Sequence, residues 1–153
     1  MYQKILVPVD GSATSDLGLQ EATKLAQLTG ASLRLLHVVD VLSLAIAGEA
    51  TTVVTGDLLA AVRESGRTVL RRAEASVQAV HLAVDTVLHE NTSGRVAEIV
   101  ADEATSWGAD LVVLGTHGRR GVGRLILGSD AEQVLRLAPV PVLMVRDRTA
   151  VRG

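Results

Sequence analysis

The sequence predicts an α/β fold: a five-stranded parallel sheet, doubly wound and Rossmann-like, with helices on both faces. Short continuous apolar runs recur along the chain, each of a length that suits a strand buried on both faces. Between them lie segments whose apolar residues fall at helical spacing. No internal repeat or linker breaks this alternation, which is the pattern of a parallel sheet wound by crossover helices. With 153 residues, 48% hydrophobic and 21% charged, the chain is long enough for one domain over 1–153 that buries about 68–70% of its unfolded surface.

The elements follow in order. Ile5 to Val9 is a β-branched run broken by Asp10-Gly11-Ser12, the first strand. A helix is expected from about Thr14, with Leu17, Ala22, Leu25, Ala26 and Leu28 near helical spacing and Gly30 at its left-handed C-terminal cap. Leu33 to Val39 is the second strand. Residues 41–56 match no template and are read as a mobile or lid-like connection. A long helix spans about Asp57 to Val80, at some propensity cost from Gly66. Residues 82–88 alternate as a third strand, and Ser93 or Thr92 is expected to cap the helix that ends at Gly108. Leu111 to Leu114 is the fourth strand. The stretch Gly115–Gly128 holds five glycines. A last helix begins near Ser129, and Pro141 to Val145 is the last strand. With strand order 3-2-1-4-5, the winding reverses between the first and fourth strands, where such sheets bind ligands. The exits Val9-Asp10-Gly11-Ser12 and Gly115-Thr116-His117-Gly118 belong to those two strands.

Composition narrows the function. Cysteine is absent, which removes disulfides, thiolate metal sites and a cysteine nucleophile and agrees with a reducing, cytoplasmic setting. The start of the chain lacks the apolar core and cleavage site of a secretory signal, and no run reaches the ~18–20 residues of a membrane span. Tyr2 and Trp107 are the only aromatic residues and the net charge is −2, which argues against nucleic acid as a partner. Charge is uneven, however: from Gly115 onward seven arginines face three acids, a balance of +4 against −6 for the rest. His81 and His89 show no zinc spacing. Walker A is absent, Gly121-Val122-Gly123 does not complete a dinucleotide fingerprint, and no G-x-S-x-G elbow occurs. A receiver domain is also excluded: Asp10 stands alone at the first strand exit, and Leu88-His89-Glu90 occupies the phosphoacceptor position.

Gly115-x2-Gly118-x9-Gly128-Ser129 is the most informative pattern. Glycines with φ > 0 turn backbone amides outward to hold phosphate oxygens, and Gly128-Ser129 opens a helix whose free amides attract anions. Arg119, Arg120 and Arg124 add positive charge nearby. On spacing alone, a phosphate cradle and a plain surface loop are about equally supported.

The segments MYQKILVPVDGS, LRLLHVVD and LVVLGTHGRRGVGRLILGSDAEQVLRLAPVPVLMV resemble the universal stress protein family across nearly the whole chain. The full G-x2-G-x9-G-[S/T] match resembles its ATP-binding subclass. The resemblance implies an adenine nucleotide, ATP, held with Mg²⁺. Pro8, Val9 and Asp10 would border the adenosine, with Asp10 reaching the ribose or the phosphate–metal region. Val38 would meet the adenine through its backbone. Leu114, Gly115, His117, Gly118 and Arg119 would line ribose and phosphates, and Gly128, Ser129 and Asp130 would close on the phosphates. Asp130 departs from the small or apolar residues frequent there, and a carboxylate beside phosphate implies a bridging Mg²⁺. His37 is read as a packed, satisfied histidine, and His117 as a hydrogen-bonded loop residue.

Three functions are therefore weighed. The first is an ATP-binding stress-response module acting through its assembly or partner contacts. The second is a slow ATPase or phosphotransferase at the same site, with no evident catalytic base. The third is an interaction dimer that needs no nucleotide. Pairing is expected through the last strand (Val140, Val142, Met144), since proline at 139 and 141 suits a sheet edge. The resemblance implies a homodimer or tetramer there.

Overall fold

In the computed structural model, which describes residues 1–41, 56–92, 94–116 and 129–147, strands and helices alternate along the chain. The elements are β1 (Lys4–Pro8), α1 (Ala13–Thr29), β2 (Ser32–Asp40), α2 (Gly56–Gln78), β3 (Val84–Asn91), α3 (Val96–Trp107), β4 (Leu111–Thr116), α4 (Ser129–Leu137) and β5 (Val142–Arg146). All strand pairs are parallel and the order is β3-β2-β1-β4-β5, as the sequence predicts. The connection over 41–56 falls, for residues 42–55, outside the described residues.

Alternate side chains of the central strands enter two cores, which is why these strands read as unbroken apolar runs. Ile5, Val7, Leu33, Leu35 and Val113 pack under α1 and α2 with Ala22, Ala26, Leu70 and Val77. Leu6, Leu36, Val112 and Leu114 pack under α3 and α4 with Val100, Ala104 and Val134. One charge interrupts the second strand. Arg34 pairs with Asp85 at 2.7 Å and Glu103 at 2.8 Å, and lies 4.7 Å from the Trp107 ring centroid. Its guanidinium is thus neutralised and stacked where the strand is half-buried.

Helix ends follow their local chemistry. Ser12 caps α1, its hydroxyl accepting from Ser15 N–H at 3.2 Å. Gly30 and Gly108 end α1 and α3 with φ of 73° and 71°, in the left-handed region that favours glycine. The expected cap of α3 needs correction: Thr92 is not the N-cap, and Ser93 lies outside the described residues. Arg95 occupies the N-cap, and its backbone N–H donates to the Glu98 carboxylate at 3.2 Å. The Asn91 amide instead closes the preceding turn on Gly94, at 2.8 and 2.9 Å, so the turn displaces the helix start beyond the hydroxyl residues.

Other boundaries move too. β1 ends at Pro8, although Val9 N–H still donates to the Leu36 carbonyl at 2.8 Å. β3 runs from Val84 to Asn91 rather than 82–88, because it follows β2 through to Asp40↔Asn91. Leu88-His89-Glu90 therefore lies inside the strand, and the strand exit is Asn91, still without an aspartate. β5 lies at a sheet edge, and the Pro141 carbonyl accepts from Val112 N–H at 3.0 Å just before the strand begins. No helix among the described residues is long and apolar enough to cross a membrane.

Candidate functional site

β1 and β4 are neighbours in the sheet, yet the helices that follow them lie on opposite faces, so a crevice opens where both strands end. Its volume is about 310 Å³. Pro8, Val9 and Asp10 come from the β1 exit, Leu36 and Val38 from β2, and Leu114, Gly115 and Thr116 from β4. Ser129, Asp130, Ala131 and Val134 of α4 close the opposite side, with Val96 and Val100 of α3. The interior is apolar, formed by Leu36, Val38, Val100, Leu114 and Val134, whereas the mouth carries Asp10, Ser12, Thr14, Ser129 and Asp130. An apolar slot beneath a polar rim suits a flat, largely apolar ring joined to a hydrophilic group.

Asp10 also organises the turn. One carboxylate oxygen accepts from Ser12 N–H at 2.8 Å, and the Asp10 N–H donates to Ser15 Oγ at 3.1 Å. Asp10 is thus a turn residue and an exposed carboxylate at the mouth of the crevice together. Asp130 is exposed in the first turn of α4, beside Glu132, where the helix dipole favours acids. Among the described residues no group of three or more histidine or acidic side chains is arranged to hold a metal ion.

Gly115 requires a correction. It belongs to β4 and not to a loop, and its φ lies outside the left-handed region. A Cβ there would lie 1.7 Å from the Thr14 carbonyl oxygen. Opposite it, a Cβ on Gly18 would lie 2.6 Å from Gly115 N. The two glycines let the first turns of α1 rest directly on the end of β4, which brings Ser12, Thr14 and Ser15 to the crevice wall.

Val38 offers its backbone. Alternate residues of a parallel strand turn both peptide groups toward the same neighbour, and Leu36 is bonded to β1 through Val9 N–H. Val38 therefore turns its N–H and C=O toward β1, but that strand has ended at Pro8, so both groups face the crevice.

Eight residues expected from the sequence line this one cavity: Pro8, Val9, Asp10, Val38, Leu114, Gly115, Ser129 and Asp130. His117, Gly118, Arg119 and Gly128 lie outside the described residues. Sequence reasoning placed Ser12 at the strand exit without giving it a role at the site, and missed Thr14 and Ser15, although an N-cap serine after a strand exit signals a helix start at that edge. It also missed Val96, Val100 and Val134, which read simply as core. A larger hollow of about 450 Å³ lies between α1 and α2, with Asp16, Lys24 and Arg72 among its lining residues.

The family model for the universal stress protein family matches residues 1–146. A universal stress protein of Thermus aquaticus is 35% identical over 149 residues, covering 95% of this chain and 100% of the relative. A solved member of the universal stress protein family from Burkholderia pseudomallei is 35% identical with a TM-score of 0.75, covering 94% of this chain and 96% of that one. Two more distant structures share the fold, each with a TM-score of 0.64. One is a universal stress protein in complex with cAMP, at 21% identity and covering 95% of this chain and 97% of that one. The other, from Archaeoglobus fulgidus, is in complex with dAMP, at 19% identity and covering 94% and 97%.

Proposed function

The chain belongs to the universal stress protein family, and on that premise we propose that it is an ATP-binding module whose bound nucleotide changes its assembly or partner contacts. What supports this reading is the convergence of eight motif-derived residues on one crevice with an apolar interior and a polar mouth. Adenine fits between Leu36, Val38, Val100 and Leu114, with its edge toward the Val38 peptide groups. Ribose then lies toward Asp10 and the phosphates toward Ser129 at the start of α4. Asp10 and Asp130 would repel a triphosphate, so a Mg²⁺ carried by the nucleotide is part of the proposal. That this fold holds adenine nucleotides in two of its structural neighbours agrees with the architecture.

Among the described residues no histidine, lysine or arginine lines the crevice. Assembly is proposed through β5, at whose edge Val140, Val142 and Met144 are half-buried. Thermal unfolding with MgATP tests the reading. At about 100 times the dissociation constant the ligand adds about 2.7 kcal/mol, which raises Tm by roughly 5–10 °C in a chain of this length. An unchanged Tm up to millimolar ATP would sink it.

A further inference from the structure

His37 projects onto the sheet face that packs against α2, opposite the crevice. Val9 N–H donates to the Leu36 carbonyl at 2.8 Å. The next step of a regular parallel ladder would bring Val38 N–H onto the Val9 carbonyl. That step is not made, because the β1–β2 register ends at Pro8↔Leu36. The Val9 carbonyl lies instead 2.7 Å from His37 Nδ1. A carbonyl oxygen only accepts, so Nδ1 carries the proton and donates it.

The imidazole fits because α2 has no side chain over it. A Cβ on Gly66 would lie 2.7 Å from His37 Cδ2 and 2.9 Å from Leu88 Cδ1. This accounts for a glycine in the interior of a long helix, where propensity disfavours it.

We propose that His37 is a positioning residue for base recognition: by holding the Val9 carbonyl it keeps the β1–β2 ladder open for one further step and leaves the Val38 N–H free to donate to a ring nitrogen of adenine. This rests on the nucleotide reading of the crevice and adds to it a side chain that touches no ligand. Removing the donor frees the Val9 carbonyl to take the Val38 N–H, which closes the ladder and withdraws the base-edge donor.

The test compares wild type, His37→Leu and His37→Asn by MgATP calorimetry and by amide hydrogen exchange without nucleotide. Asparagine places an N–H donor the same number of bonds from Cα as Nδ1. Expected are at least tenfold weaker ATP binding for His37→Leu, wild-type affinity within threefold for His37→Asn, and fast exchange of the Val38 amide in wild-type protein that slows in His37→Leu. Equal affinity of wild type and His37→Leu overturns the inference and leaves the nucleotide reading intact. Wild-type protein that binds no ATP overturns that reading and the inference with it. Should His37→Leu fail to fold, the Val38 amide of the wild type decides: exchange as slow as that of Leu36 overturns the inference.

Discussion

Replacing Gly115 by alanine probes the contact that sets α1 against the crevice. The added methyl would sit 1.7 Å from the Thr14 carbonyl oxygen, 2.4 Å from its carbon and 2.9 Å from Ser15 N. All three are backbone atoms of a capped first turn, so no rotamer change relieves the overlap. Carbon and oxygen need about 3.3 Å, and α1 must therefore withdraw by more than an ångström along its contact with β4. Overpacking typically costs about 1–3 kcal/mol, and with only backbone to yield we expect at least about 3 kcal/mol, a Tm lower by roughly 6–12 °C. Urea unfolding with unchanged m-value measures the loss. Gly56→Ala is the control, since a Cβ there meets nothing within 4 Å, and its stability should stay within about 0.5 kcal/mol of wild type or rise. MgATP affinity of the folded fraction of Gly115→Ala should also fall, because Ser12, Thr14 and Ser15 move with the helix. A Gly115→Ala protein as stable as wild type would show that α1 does not rest on β4 through this pair.

Three further outcomes are expected. Chelation by EDTA should weaken ATP binding, and Asp130→Ala should reduce that dependence; equal affinity with and without Mg²⁺ would remove the metal. Arg63 donates to Glu90 at 2.9 Å through Nη2, and this hydrogen bonding holds the Glu90 carboxyl below its ordinary value. A depressed carboxylate stabilises the fold above its unfolded pKa of about 4.5 and loses that contribution as pH falls further, so Glu90→Gln should flatten the acid side of the stability profile, read by urea titration between pH 3 and 6. Val142→Lys with Met144→Lys should lower the sedimentation coefficient to that of a monomer; no change from a wild-type dimer would move the interface away from β5.

Much of this architecture is legible because strands buried on both faces leave a one-dimensional signature. Ile5–Val7 and Leu111–Leu114 are apolar without a break, and each falls within an observed strand. The sequence places β3 too early because its outer edge is unpaired, so that pairing with β2 and not hydropathy sets its end at Asn91. The α3 cap is hidden in the sequence for a related reason: the Asn91 side chain closes the turn on Gly94, and no local rule favours Arg95 as a cap. Among the crevice residues, Asp10, Ser129 and Asp130 are legible through turn chemistry and family resemblance, whereas Thr14 and Ser15 read only as the start of a helix. Val96, Val100 and Val134 are not legible, since an apolar residue facing a cavity reads the same as one facing a core. Gly115 and Gly66 show the same limit. A glycine required by a neighbouring backbone or an imidazole cannot be told in sequence from one required by its own φ.

The central claim is the position of the nucleotide, and hydrogen exchange read by mass spectrometry with and without MgATP tests it most directly. Slower exchange is expected in peptides covering Val9–Ser15, Val38–Asp40 and Gly115–Asp130, with the rest of the chain unchanged. Protection centred instead on Lys24 and Arg72, along the hollow between α1 and α2, would contradict the account, as would ATP binding that protects none of the strand exits.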